Sequence, residues 1–243
     1  MRQDSSSYTL QGTPATIILI FPWHAEYAME IPSFSDLQLS PGILKAIRDI
    51  GYEEPTPIQS QVIPLILAGN DVAGQAYTGT GKTASYGIPA LEMCQPADRK
   101  VQTMILCPTR ELAVQVGTEL NRLAMHRKGI SILPVYGGQP IERQLKALSR
   151  GVHIVIGTPG RVIDHINRGT LTLDSVSLVV LDEADQMLDM GFRDDIEEIL
   201  SHIPKNHQTV ILSATFPSEI LDISRKYQKD PIDIKMVHQE LTV

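Results

Sequence analysis

The stretch Ala76 to Thr83, reading AYTGTGKT, is where the chemistry of this sequence is most concentrated. Gly79 and Gly81 permit backbone turns that other residues resist, so successive N–H groups can aim at phosphate oxygens, with Thr78 and Thr80 between and before them. Lys82 follows at the position from which an ammonium reaches the β- and γ-phosphates of a nucleotide. Thr83 then offers a hydroxyl to Mg2+, an oxygen-loving ion held by few protein groups. The first position of the usual G-x-x-x-x-G-K-[ST] pattern is Ala76 here, where small size is what the turn needs. A second cluster is DEAD at 182–185. In an enzyme of this loop type Asp182 would hold Mg2+ through water, and Glu183 would orient or deprotonate an attacking water. SAT at 213–215 supplies two more hydroxyls, Ser213 and Thr215, which either face the same cleft or cap a helix beginning near Pro217.

These residues need a scaffold, and the pattern around them describes one. Strand candidates lie near 71–76, 102–107, 130–136, 152–157, 177–182 and 208–213, the last being the final strand expected. Helices with an apolar face alternate with them, such as Leu112, Val116, Leu120 and Leu123, or Ile141, Leu145 and Leu148. Upstream, Ser40 and Pro41 read as N-cap and first helical residue, and Gly51 as the end of that helix. A second helix should run from the turn GYEEPTPIQ (51–59) to about Leu67. Continuous apolar strands in βα alternation imply a mostly parallel sheet covered by helices on both faces, with ligands beyond the carboxyl ends of the strands.

Composition narrows the partners. A net charge of −7 over 243 residues argues against a generally basic coat, so any nucleic-acid contact must be local. Cys94 and Cys107 show no C-x-x-C spacing and read as reduced core thiols of a cytoplasmic protein, and the scattered histidines fit no metal site. The apolar run Ala15 to Trp23 is too short to span a bilayer and makes a poor secretory signal.

Taken together, GYEEPTPIQ, AYTGTGKT, PTREL (108–112), the glycine pair 137–138, TPGR (158–161), DEAD and SAT resemble the DEAD-box RNA helicases, in that family's order and spacing. The resemblance covers Phe34 to the C-terminus, with Tyr77 standing where the family most often has glutamine or another polar residue. It implies a three-layer, RecA-like P-loop α/β domain and the use of ATP and Mg2+. By the same resemblance Phe34 would stack on adenine, Gln59 would read its edge, and Tyr52 and Thr56 belong to the same adenine-recognition segment. Glutamine can accept from N6–H and donate to N7 of adenine but leaves the guanine carbonyl unpaired, so ATP is expected over GTP. Pro108, Thr109, Arg110, Gly138, Thr158, Pro159, Gly160 and Arg161 would line a path for single-stranded or duplex RNA. Phosphate contacts of that kind carry little sequence preference.

The expected division is an extension at 1–28, an ATP-binding domain at 29–235, and the start of an interdomain linker at 236–243, with the family's second helicase domain absent. On that reading the chain binds adenine nucleotide, turns it over weakly and does not unwind RNA. A nucleotide-regulated RNA-binding or assembly module without significant catalysis is the alternative. Thr16 to Phe21 (TIILIF) is an uncharged strand former that could pair with a second copy, giving a homodimer, dock on this domain's own sheet edge, or stay disordered.

Overall fold

The computed structural model describes residues 33–77 and 79–236. Thr78, TIILIF and the proposed linker segment from 237 onward lie outside the described residues. Among those described, seven strands form one parallel sheet in the order β3-β4-β2-β5-β6-β1-β7. They are β1 (Val72–Gln75), β2 (Thr103–Leu106), β3 (Ile132–Val135), β4 (Ile154–Gly157), β5 (Leu178–Asp182), β6 (Gln208–Ser213) and β7 (Ile232–Lys235). The helices, in chain order, are α1 (Pro41–Ile50), α2 (Pro57–Leu67), α3 (Lys82–Met93), α4 (Arg110–Leu123), α5 (Glu142–Leu148), α6 (Pro159–Asn167), α7 (Ala184–Asp189), α8 (Arg193–Ser201) and α9 (Ser218–Tyr227).

Alternation along the central strands sorts their side chains into two cores. Ile105, Ile154, Ile156, Leu178, Val180, Val210 and Leu212 join α1 to α4 on one face. Met104, Leu106, Val155, Val179, Leu181 and Ile211 meet α7, α8 and α9 on the other. Every residue of β2, β4, β5 and β6 is buried, and their centres (MIL, IVI, LVVL and VIL) read as continuous apolar runs with polar residues only at the strand ends.

Three expectations need correcting. β6 is not the last strand: β7 pairs with β1 at the sheet edge, with Val72 opposite Ile232. Its sequence, IDIK, leaves Ile232 and Asp233 exposed, so it lacks the apolar run that betrays a central strand. Ser40 does occupy the N-cap position of α1, but its hydroxyl makes no capping bond and accepts instead from Arg127 Nη1 at 3.3 Å. On α5 the predicted apolar face is only half-buried, and the buried residue is Gln144.

All of the quoted sequence segments from AYTGTGKT onward end up at one edge. The chain leaves β1 into the 76–81 loop, β2 into Pro108–Arg110, β3 into Tyr136–Gly138, β4 into Thr158–Arg161, β5 into Glu183 and β6 into Ala214–Thr215. The sheet's carboxyl edge therefore gathers residues that are far apart in sequence.

Candidate nucleotide site

The loop after β1 is closed by its own polar groups. Thr80 Oγ1 donates to the Tyr77 carbonyl at 2.8 Å, and Gly79 and Gly81 take φ of 80° and 90°. From the start of α2, Thr56 Oγ1 donates to the Thr80 carbonyl (2.8 Å) and Gln59 Nε2 to the Gly81 carbonyl (3.2 Å). A Cβ at position 81 would lie 2.5 Å from Gln59 Nε2, so glycine is required there by both φ and space. Gln59 Oε1 accepts from the Thr56 backbone N–H at 3.0 Å. The Gln59 amide, 3% exposed, thus ties the loop to the start of α2, Nε2 on Gly81 and Oε1 on the N-cap of its own helix.

Beneath the loop, α3 starts at Lys82 and points its ammonium at the end of β5. Lys82 Nζ and Asp182 Oδ1 are 4.0 Å apart, with the two residues 6% and 2% exposed. Neither atom has a hydrogen-bond partner. Opposed charges at that separation are coupled but not bonded, and buried polar groups left in this state call for a further partner, an ion, a ligand or an ordered water. Asp182 Oδ2 accepts from the Tyr86 hydroxyl at 2.7 Å. Burial pushes the Asp182 carboxyl up, against the opposing pull of Lys82 and the Tyr86 bond, while Tyr86 itself is driven well above its ordinary value by burial and then by Asp182.

Glu183 follows in the left-handed region (φ 53°, ψ 51°), a conformation uncommon for a side-chain-bearing residue and typical of constrained sites. Burial, then the neighbouring Asp182 charge, raises its pKa. Asp185 binds the segment after β6. Its Oδ2 accepts from both the amide and the hydroxyl of Thr215, each at 2.9 Å, and its backbone N–H donates to Ser213 Oγ at 3.1 Å. Burial works to raise the Asp185 carboxyl, but the bonds from Ser213 and Thr215 hold it below its ordinary value. Ser213 and Thr215 are therefore committed to Asp185 and do not cap α9.

Residues 56–223 match the DEAD/DEAH box helicase family. The chain belongs to that family. Among curated proteins it is 51% identical over 211 residues to the DEAD-box ATP-dependent RNA helicase CshA of Bacillus licheniformis, and 50% identical to that of Bacillus subtilis. Each alignment takes in 87% of this chain but only 43% and 42% of the relative. Among solved structures, a DEAD box protein from the hyperthermophile Methanococcus jannaschii superimposes with a TM-score of 0.80 at 48% identity, covering 84% of this chain and 55% of the other. The seven-stranded parallel sheet is thus the RecA-like domain of the DEAD-box fold.

Other segments quoted from the sequence lie along the same edge of this DEAD-box domain. Thr109 caps α4 by accepting from the Leu112 N–H (3.2 Å), with Pro108 buried behind it. Arg110 is exposed and lies over the Tyr136 ring, 5.3 Å from its centroid. Gly138 takes φ of 77° beside it. Thr158 and Pro159 open α6, Gly160 is exposed, and Arg161 reaches Gln144 Oε1 (3.4 Å) and Asp164 (3.8 Å). Phe34 and Tyr52 stack on each other with centroids 6.3 Å apart, and the Tyr52 hydroxyl donates to Glu119. Burial and then Glu119 raise the Tyr52 hydroxyl to about 12.

Sequence reading missed Tyr86 and Asp185. Tyr86 could have been found: it lies four residues after Lys82 on the same helix face, and a phenol buried there needs an acceptor. Asp185 stood within the quoted DEAD string, but its bonds to the segment after β6 span 28 and 30 residues and had no local signal.

Proposed function

We propose that this chain is the ATP-binding N-terminal domain of an RNA-dependent ATPase that remodels or unwinds RNA. The facing, unbonded pair Lys82 and Asp182 beneath a phosphate-type loop carries the reading. Lys82 supplies positive charge to bound phosphates, and Thr83 and Asp182 are the residues that would hold Mg2+. Bound there, the ion neutralises phosphate charge. Glu183 orients the attacking water and accepts its proton. The raised pKa brings its basicity closer to what a general base needs near neutral pH. Asp185, by tying β5 to the segment after β6, keeps Glu183 and Thr215 on one rigid edge.

Phe34 and Gln59 would recognise adenine. The Gln59 amide uses one hydrogen on Gly81 and one lone pair on Thr56, which leaves one of each for the base and so couples base recognition to the loop through the Gly81 bond. Arg110, Arg161, Thr109 and Thr158 would contact RNA phosphates, with Pro108, Gly138, Pro159 and Gly160 shaping the path. The relatives are more than twice as long as the part matched here, and we infer that a second domain completes both sites in them. On its own this domain binds ATP, hydrolyses it weakly and does not unwind. Cys94 and Cys107 are free and buried, which suits a reducing cytoplasm.

Titrating RNA into an ATPase assay tests the reading. Stimulation of hydrolysis supports it, whereas RNA binding without any turnover favours a non-catalytic assembly module. Calorimetry separates the residue roles. Lys82→Ala should lose ATP binding, while Glu183→Gln should bind ATP like the parent and lose residual hydrolysis, since Glu183 acts only on water. Equal loss of binding in both would refute that division.

A further inference from the structure

Beneath the surface, one buried amide joins the segments that carry Arg110, Gly138 and Arg161. Gln144, 1% exposed, sits on α5 where the helix's apolar residues are only half-buried. Its Nε2 donates to the Tyr136 carbonyl at 2.9 Å, immediately before the glycine pair. With the amide oriented that way, Oε1 faces Arg161 Nη1 at 3.4 Å and His165 Nε2 at 2.8 Å. The His165 ring must then carry its hydrogen on Nε2, and the Thr170 hydroxyl, 2.8 Å from Nδ1 and 3.0 Å from the His165 carbonyl, shares its one hydrogen between those two acceptors. Burial, then Arg161, lowers the His165 pKa, so the ring is neutral and suited to that role. Tyr136 in turn supplies the ring on which the Arg110 guanidinium rests. A helix that needed only packing would bury an aliphatic residue here. A buried amide is tolerable because its donor and acceptor sides are both satisfied, and such a network fixes its members at set separations.

We propose that Gln144 is a positioning residue for the RNA path, holding the Tyr136–Gly138 turn and Arg161 in register, with His165 as its buried hydrogen-bond donor. The inference rests on the RNA-binding reading above. Loss of the amide frees the turn and the arginine to move independently, leaving the nucleotide loop untouched.

Fluorescence anisotropy with a labelled single-stranded oligouridylate, on the full 243-residue chain and its variants, tests this. Gln144→Leu should weaken RNA binding about tenfold, as expected when buried hydrogen bonds lose a partner, with ATP affinity within about twofold of the parent. Gln144→Glu keeps the acceptor and places a charge beside Arg161. Because it also replaces the donor to the Tyr136 carbonyl with a second acceptor, it should lower the melting temperature somewhat and bind RNA more weakly, with ATP affinity within about twofold of the parent. Parallel losses of melting temperature, ATP affinity and RNA affinity in both variants would show a role in stability alone. Parent-like RNA binding by Gln144→Leu would overturn the proposal while leaving the RNA reading intact. If Gln144→Leu does not fold, Gln144→Glu decides by the same split. If the unsubstituted chain binds no RNA, the RNA reading itself fails. Amide exchange at Gly137 and Gly138 then judges the positioning separately: faster in the variant if Gln144 holds the turn, unchanged if it does not.

Discussion

At the scale of single residues, Tyr86 is the side chain whose role most exceeds what its position in the sequence announces. Its hydroxyl gives Asp182 Oδ2 its one hydrogen bond from a side chain, deep beneath the loop. Tyr86→Phe removes that donor and leaves a buried carboxylate oxygen unsatisfied, at a cost of about 1 to 3 kcal/mol. The bond helps to hold the Asp182 pKa down against burial, so the variant's Asp182 should titrate still higher. On the reading proposed above, the ionised carboxylate is the form that would hold Mg2+. Its population falls as pH drops through the folded pKa, so the acid limb of Mg-dependent ATP binding should move to higher pH in the variant. Calorimetric ATP affinity measured against pH, with Mg2+ present, checks the shift, and coincident profiles would refute it. Lys82, Asp182 and Glu183 were legible because their chemistry is written in adjacent letters. Tyr86 shares the Lys82 face, which is a local sign, but its acceptor lies 96 residues away and no neighbouring residue names it. Gln59 was legible as a candidate for base recognition but not as a residue whose amide also bonds the loop. That bond depends on where Gly81 lies in space.

Among the elements, α4 and β3 pack with unusually little between them. A Cβ on Gly117 would lie 2.6 Å from Pro134 Cγ, and a proline ring has little freedom to give way. Replacing Gly117 with alanine gains up to about 1 kcal/mol of helix propensity but incurs about 1 to 3 kcal/mol of overpacking. The sum should therefore be destabilising by up to about 2 kcal/mol, read as a lower urea midpoint with unchanged slope. A stabilised variant would mean that β3 can shift. Pro134 is tolerated within β3 because that strand lies at the sheet edge. The six apolar or β-branched strand candidates were visible in sequence because burial on both faces demands such runs. β7 escaped notice for the converse reason: an edge strand, half in water, can alternate isoleucine with aspartate and lysine. α5 was visible as a helix, but its buried face was misassigned. A satisfied amide can replace a leucine, and periodicity alone does not distinguish them.

For the molecule as a whole, a ligand that binds only the folded state stabilises it in proportion to its saturation. ATP at 100 times its dissociation constant contributes about 2.7 kcal/mol, which for a domain of this size is roughly 5 to 10 °C in melting temperature. Scanning calorimetry should show that rise with ATP and Mg2+, little with GTP, and none in Lys82→Ala. Equal shifts with ATP and GTP would contradict adenine recognition through Gln59. Strand order carries a further consequence, for the time course of biosynthesis. β1, which presents the phosphate loop, finds its neighbours only in β6 and β7, about 140 and 160 residues further along. At ribosomal speeds of about 5 to 20 residues per second, the loop emerges roughly 7 to 30 seconds before either flanking strand exists. The nucleotide pocket is thus among the last features a nascent chain can complete, and ATP occupancy would report that the domain's synthesis has reached its final strands.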